Sequence, residues 1–130
     1  FLQRLLSNGF SWGSEMNSRD KLRLNMLSSM SKMLDEKNNS PLRDLLKKHF
    51  PWVSFTPILN WVPEQAEDIY WILIDLERIA ILEIPRSSNN MDDATVDVVN
   101  VNSYMRKRIS AETKQNLEVA IELMSEHLSR

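Results

Sequence analysis

The stretch Glu67–Arg86, "EDIYWILIDLERIAILEIPR", decides the fold. Two runs rich in β-branched and aromatic residues, Ile69–Ile74 (IYWILI) and Ile79–Ile84 (IAILEI), flank the polar tetrad Asp75-Leu76-Glu77-Arg78. That arrangement predicts a β-hairpin. The same residues also fit one buried helix opening at Pro63-Glu64, because Ile69, Ile72, Leu73, Leu76, Ile79 and Ala80 fall at 3.6-residue spacing. Periodicity does not separate the two readings; the residue types favour the hairpin.

Upstream, Pro51, Pro57 and Pro63 recur at intervals of six through "PWVSFTPILNWVP". This spacing excludes a long helix and leaves extended chain with bends, or at most a short edge strand. Further upstream, Leu22, Met26, Met30, Met33 and Leu34 lie at helical spacing behind Asn17 or Ser18 as N-cap. Ser40 and Pro41 then open a shorter helix whose Leu42, Leu45, Leu46 and His49 share one face until Pro51. The brief connection between the two predicts a helical pair.

Downstream, "ATVDVVNVNSYM" carries Val96, Val98 and Val101 and predicts a further strand beside the hairpin. Ser110 is the N-cap candidate of a last helix with Leu117, Ala120, Ile121, Met124 and Leu128 on its apolar face. Its outer face, Glu118, Glu122 and Glu126, reads as solvated. The expected fold is therefore α+β: an N-terminal helical pair, a small antiparallel sheet centred on a hairpin at about 69–84, and a C-terminal amphipathic helix over one face. Were 64–84 a helix instead, the chain would be mostly α.

With 130 residues and 42% hydrophobic content, the chain has enough apolar material for one self-supporting domain. It has no cysteine and two histidines, His49 and His127, which leaves no thiolate chemistry and little for zinc. A net charge of −2 argues against a wholly basic nucleic-acid surface. No apolar run reaches the roughly 18 residues needed to span a bilayer. These features fit a soluble intracellular protein, cytoplasmic or nuclear, with no membrane partner, metal or cofactor.

Glycine sets the sharpest limit. Both glycines, Gly9 and Gly13, precede residue 14. Phosphate-cradling loops, dinucleotide fingerprints and nucleophile elbows all need glycine for positive φ or close backbone approach, so none can be built beyond Gly13. The one enzymatic arrangement to consider is Asp75 with Glu83, placed as the two carboxylates of a divergent metal-dependent nuclease would be. Pro85 occupies the position where such a site needs lysine, leaving Arg86 next to it. A candidate basic patch, Arg106, Lys107 and Arg108, supports a nucleic-acid-associated alternative.

Interaction features are richer. Four tryptophans and seven methionines favour adaptable recognition surfaces, and Met26, Met30, Met33, Trp52, Phe55 and Trp61 form a candidate groove. The first twelve residues, "FLQRLLSNGFSW", carry the peptide anchors Phe1, Leu2, Leu5, Leu6, Phe10 and Trp12. Leu2–Leu6 matches the LxxLL pattern of groove-docking helices, but Leu42–Leu46 matches it equally and is explained as core. The glycine distribution leads to the expectation that residues 1–12 are an amphipathic peptide segment, partner-derived and tethered through 13–15 to a single α+β domain, residues 16–130; the alternative is a native N-terminal helix packing on its own domain. The expected function is non-catalytic protein binding, as an adaptor, chaperone or inhibitor that takes a short amphipathic helix in an apolar groove.

Overall fold

The hairpin forms as the residue types predict. In the computed structural model, which describes residues 17–35, 40–86 and 93–130, β2 (Glu67–Leu73) and β3 (Arg78–Pro85) pair antiparallel, from Glu67 opposite Pro85 to Leu73 opposite Ile79. No glycine is available to make the turn, and Asp75 organises it instead. Its Oδ1 accepts from the backbone N–H of Glu77 at 2.8 Å and of Arg78 at 2.7 Å, and its Oδ2 accepts from Arg78 Nε at 2.8 Å. A carboxylate that accepts from the backbone two and three residues on is how Asp stabilises a turn.

The sheet has strand order β1-β2-β3-β4, with β1 spanning Ile58–Pro63 and β4 spanning Thr95–Asn100. The Pro57 and Pro63 signals are thus met by an edge strand, with an irregularity in register between Ile58 and Asn60. Expected strand residue Val101 lies outside β4 and begins a short helix, α3 (Val101–Arg106). The physical cause is Asn100, whose side chain accepts from the N–H groups of Asn102 and Ser103 and so caps a helix directly after the strand.

Helix α1 (Ser18–Leu34) is capped by Asn17, and α2 (Pro41–His49) by Ser40 with Pro41 in its first turn. Helix α4 (Ala111–Leu128) starts after Ser110, whose Oγ accepts from Thr113 N–H at 3.1 Å. Ser110→Ala removes that acceptor and is expected to lower stability by about 1 kcal/mol, read as an earlier urea midpoint at unchanged slope.

Helices cover both faces of the sheet. On one face Trp71, Leu73, Ile79 and Val99 pack with Met26 of α1, Val101 and Tyr104 of α3, and Leu117, Ala120, Leu123 and Met124 of α4. On the other, Tyr70, Ile72, Ala80, Leu82, Ile84 and Val96 meet Met30 and Met33 of α1 and Leu42, Leu45, Leu46 and Phe50 around α2. Odd-numbered residues of β2 and β3 serve the first cluster and even-numbered ones the second, as a pleated strand requires. Burial on both faces explains why IYWILI and IAILEI lack the polar alternation of a half-exposed strand.

The outer face of α4 is less free than its sequence suggests. Glu122 accepts from Arg19 at 2.6 Å and from Arg23, and Glu126 pairs with Arg23 Nη2 at 2.8 Å, joining α1 to α4 across the surface. These partly exposed pairs orient the helices and contribute modestly to stability.

Candidate functional site

A recess opens between the last turn of α1, the first turn of α2 and the sheet. It has a volume near 380 Å³ and is lined by Lys32, Met33, Ser40, Pro41, Leu42, Ile58, Asp68, Tyr70 and Ile84. Register builds its floor. Tyr70 stands opposite Leu82, and Asp68 opposite Ile84, so the even-numbered face presents Tyr70, Ile84 and Ile58 toward α2. Met33 and Leu42, both buried, supply the helical wall.

Beside this recess stands an aromatic lip. Trp61 pairs with Tyr70 across β1 and β2, and their rings stack with centroids 6.3 Å apart and planes 12° apart. Trp61 Nε1 donates to Asp68 Oδ1 at 3.1 Å, while Arg86 donates to the same oxygen through Nε at 3.2 Å and Nη2 at 2.9 Å. The indole is therefore held at two points, yet it is 53% exposed. A large aromatic fixed in one orientation with a free face loses little entropy on contact with a ligand. The Arg86 guanidinium, helped by the indole N–H, holds the Asp68 carboxyl below the usual range. Burial, reinforced by the Asp68 charge, raises the Tyr70 hydroxyl, which stays protonated as a donor at neutral pH.

A second recess, near 240 Å³, lies at the hairpin-turn end and includes Trp52, Phe55, Ile74, Asp75, Met124 and His127. Phe55 stacks on His127 at 4.4 Å, and Trp52, 63% exposed, meets Phe50 edge-on at 5.8 Å.

The six groove residues read from the sequence are thus divided. Met33 lines the first recess and Trp61 forms its lip; Trp52 and Phe55 line the second. Met26 and Met30 are buried in the two core clusters, and Met30 Sδ also accepts from Thr56 N–H at 3.2 Å. Arg106 ends α3, Lys107 caps it and Arg108 follows, all three exposed and contiguous. The anchors Phe1, Leu2, Leu5, Leu6, Phe10 and Trp12, and the joint at 13–15, lie outside the described residues. Tyr70, Asp68, Arg86 and Leu42 were not singled out as groove residues from sequence, because strand register and the α2 packing bring them together.

Asp75 and Glu83 are not brought together. Asp75 is committed to the turn at one end of β3, whereas Glu83 accepts from Thr95 Oγ1 at 2.7 Å near the other end. At ~3.3 Å per residue the two stand roughly 15–20 Å apart along the strand, too far to share one cation. Among the described residues no cluster of three or more His, Cys, Asp or Glu could hold a metal ion, and no helix is long and apolar enough to cross a membrane.

The carboxylates fixed by arginine give the molecule a defined acid response. Glu122, hydrogen-bonded by Arg19, and Glu126, hydrogen-bonded by Arg23, are both held below their ordinary range, as is Asp68 by Arg86. Asp75 is lowered by Arg78 and by the turn N–H groups, against an opposing push from burial. A depressed folded-state pKa adds stability that is present above the unfolded value and is lost as pH falls through the folded one. Urea midpoints are therefore expected to hold between about pH 5 and 7 and to drop progressively below about pH 4.5. A midpoint independent of pH down to about 3 would contradict these pairings. No protein-family model, curated protein or solved structure matches this chain.

Proposed function

We propose that the chain is a non-catalytic, intracellular peptide-binding module, of adaptor, chaperone or inhibitor type. Its ligand is a short amphipathic helix with leucine and aromatic anchors, of the kind residues 1–12 encode. The observation that supports this most is the apolar recess of about 380 Å³ beside a Trp61 side chain fixed by Tyr70 and Asp68. A recess of this size takes one or two bulky anchors, and an exposed, oriented tryptophan at its edge has the character of a binding hot spot.

Residues 1–12 then act as a tethered ligand at an effective concentration of roughly millimolar. In the full chain, Leu2→Ser, Leu5→Ser and Leu6→Ser together should raise the affinity for a labelled peptide of sequence FLQRLLSNGFSW, because the internal competitor is weakened. Adding Trp61→Ala to that triple variant should weaken binding by at least about tenfold while leaving the fold intact, since Trp61 is on the surface. Fluorescence anisotropy reads both changes. Unaltered affinity in the Trp61 variant would place the peptide elsewhere. Tight salt-dependent binding of oligonucleotides, lost on replacing Arg106, Lys107 and Arg108, would favour the nucleic-acid reading instead.

A further inference from the structure

The two edges of the sheet are protected to different degrees. Strand β1 is preceded by Pro57, ends on Pro63, has an interrupted register and is packed upon by α1 and α4. Strand β4, Thr-Val-Asp-Val-Val-Asn, contains no proline, lysine or arginine, and its register with β3 is unbroken from Arg78 opposite Asn100 to Glu83 opposite Thr95. Among the described residues, the only element besides β3 with more than marginal contact to β4 is α3, which follows it directly. Val98 is 41% exposed there. An edge with these properties is a template for another strand.

One hydrogen bond gives the direction of its outward backbone groups. Val98 N–H donates to Asp97 Oδ1 at 2.9 Å and so turns away from β3. By the alternation of an antiparallel ladder, Val96 and Val98 are the residues that offer N–H and C=O outward.

A second copy adding antiparallel to the same sheet keeps like faces together in only two registers centred on the strand's middle. One sets Asp97 directly opposite Asp97, and like charges so placed destabilise the pair. The other sets Val98 opposite Val98, Asp97 opposite Val99 and Val96 opposite Asn100. It joins the two exposed valines and lets each Val98 N–H donate to the C=O of the other.

We propose that β4 is the edge through which two copies of this chain pair, about a two-fold axis at Val98, with Asp97 setting the strength by holding the Val98 N–H in the monomer. The test is sedimentation equilibrium of the full chain and its variants, with circular dichroism to verify the fold. The wild type should show a concentration-dependent dimer. Asp97→Ala releases two N–H groups per dimer and should tighten it by about tenfold. Val98→Lys, which sets like charges in opposition, and Val98→Pro, which removes only an outward donor, should each restore the monomer in the Asp97→Ala background. A wild-type chain that stays monomeric at millimolar concentration overturns the proposal. So does a dimer that survives both Val98 changes, or an edge that pairs only with an extended peptide of another protein.

Discussion

Truncating Leu73 to alanine is expected to cost about 3 kcal/mol, the middle of the range for a fully buried leucine. Leu73 is wholly inaccessible, stands opposite Ile79 in the hairpin, and belongs to the cluster that holds α4 on the sheet through Leu117, Ala120 and Met124. Its loss removes buried apolar surface and leaves a cavity that β2 cannot collapse around, because Leu73 N–H is fixed to Pro57 C=O at 3.0 Å. Urea denaturation should show the midpoint falling at constant slope. A cost below about 1 kcal/mol would mean that this face is not the core.

Arg43→Ala is expected to have the next largest effect, about 2 kcal/mol, typical of a lost hydrogen bond from a charged donor. The Arg43 side chain is only 10% exposed; its Nη1 donates to Asp35 C=O at 2.5 Å and Nη2 lies 3.6 Å from Asp44. Asp35 is the C-cap of α1, so this bond ties the end of one helix to the start of the next. Those are the two segments that supply Lys32, Met33, Ser40 and Leu42 to the recess. The variant should therefore lose peptide affinity along with stability, and Arg43→Lys should recover little of either, since a lysine ammonium cannot reproduce the guanidinium geometry. Retention of full peptide affinity would detach the recess from binding.

Much of the architecture was legible because the signals were local. Ser40-Pro41 and Ser110 announced helix starts, and β-branched and aromatic residues on both sides of Asp75–Arg78 announced a hairpin. Leu42, Leu45 and Leu46 fit the LxxLL pattern, and all three are buried, in keeping with a core explanation. What sequence alone did not reveal depends on chain segments meeting. That Met26 serves one face of the sheet, and Met30 and Met33 the other, follows from how α1 crosses the strands. The contact of Trp61 with Tyr70 and Asp68 depends on the β1–β2 register beyond an irregular step, which no local pattern specifies. Asn100 lies inside the stretch read as strand, and its bonds to Asn102 and Ser103 identify it as a cap. The Glu122 and Glu126 pairs were invisible for the same reason, their partners lying on α1 about a hundred residues earlier in the chain.

The most direct measurement of peptide binding is an NMR titration. The full chain carrying Leu2→Ser, Leu5→Ser and Leu6→Ser would be isotope-labelled and titrated with unlabelled FLQRLLSNGFSW. Saturable shifts concentrated on the Met33, Leu42, Ile58 and Ile84 methyl groups and the Trp61 indole N–H are the expected result. An absence of saturable shifts, or shifts confined to residues outside the recess, would contradict it.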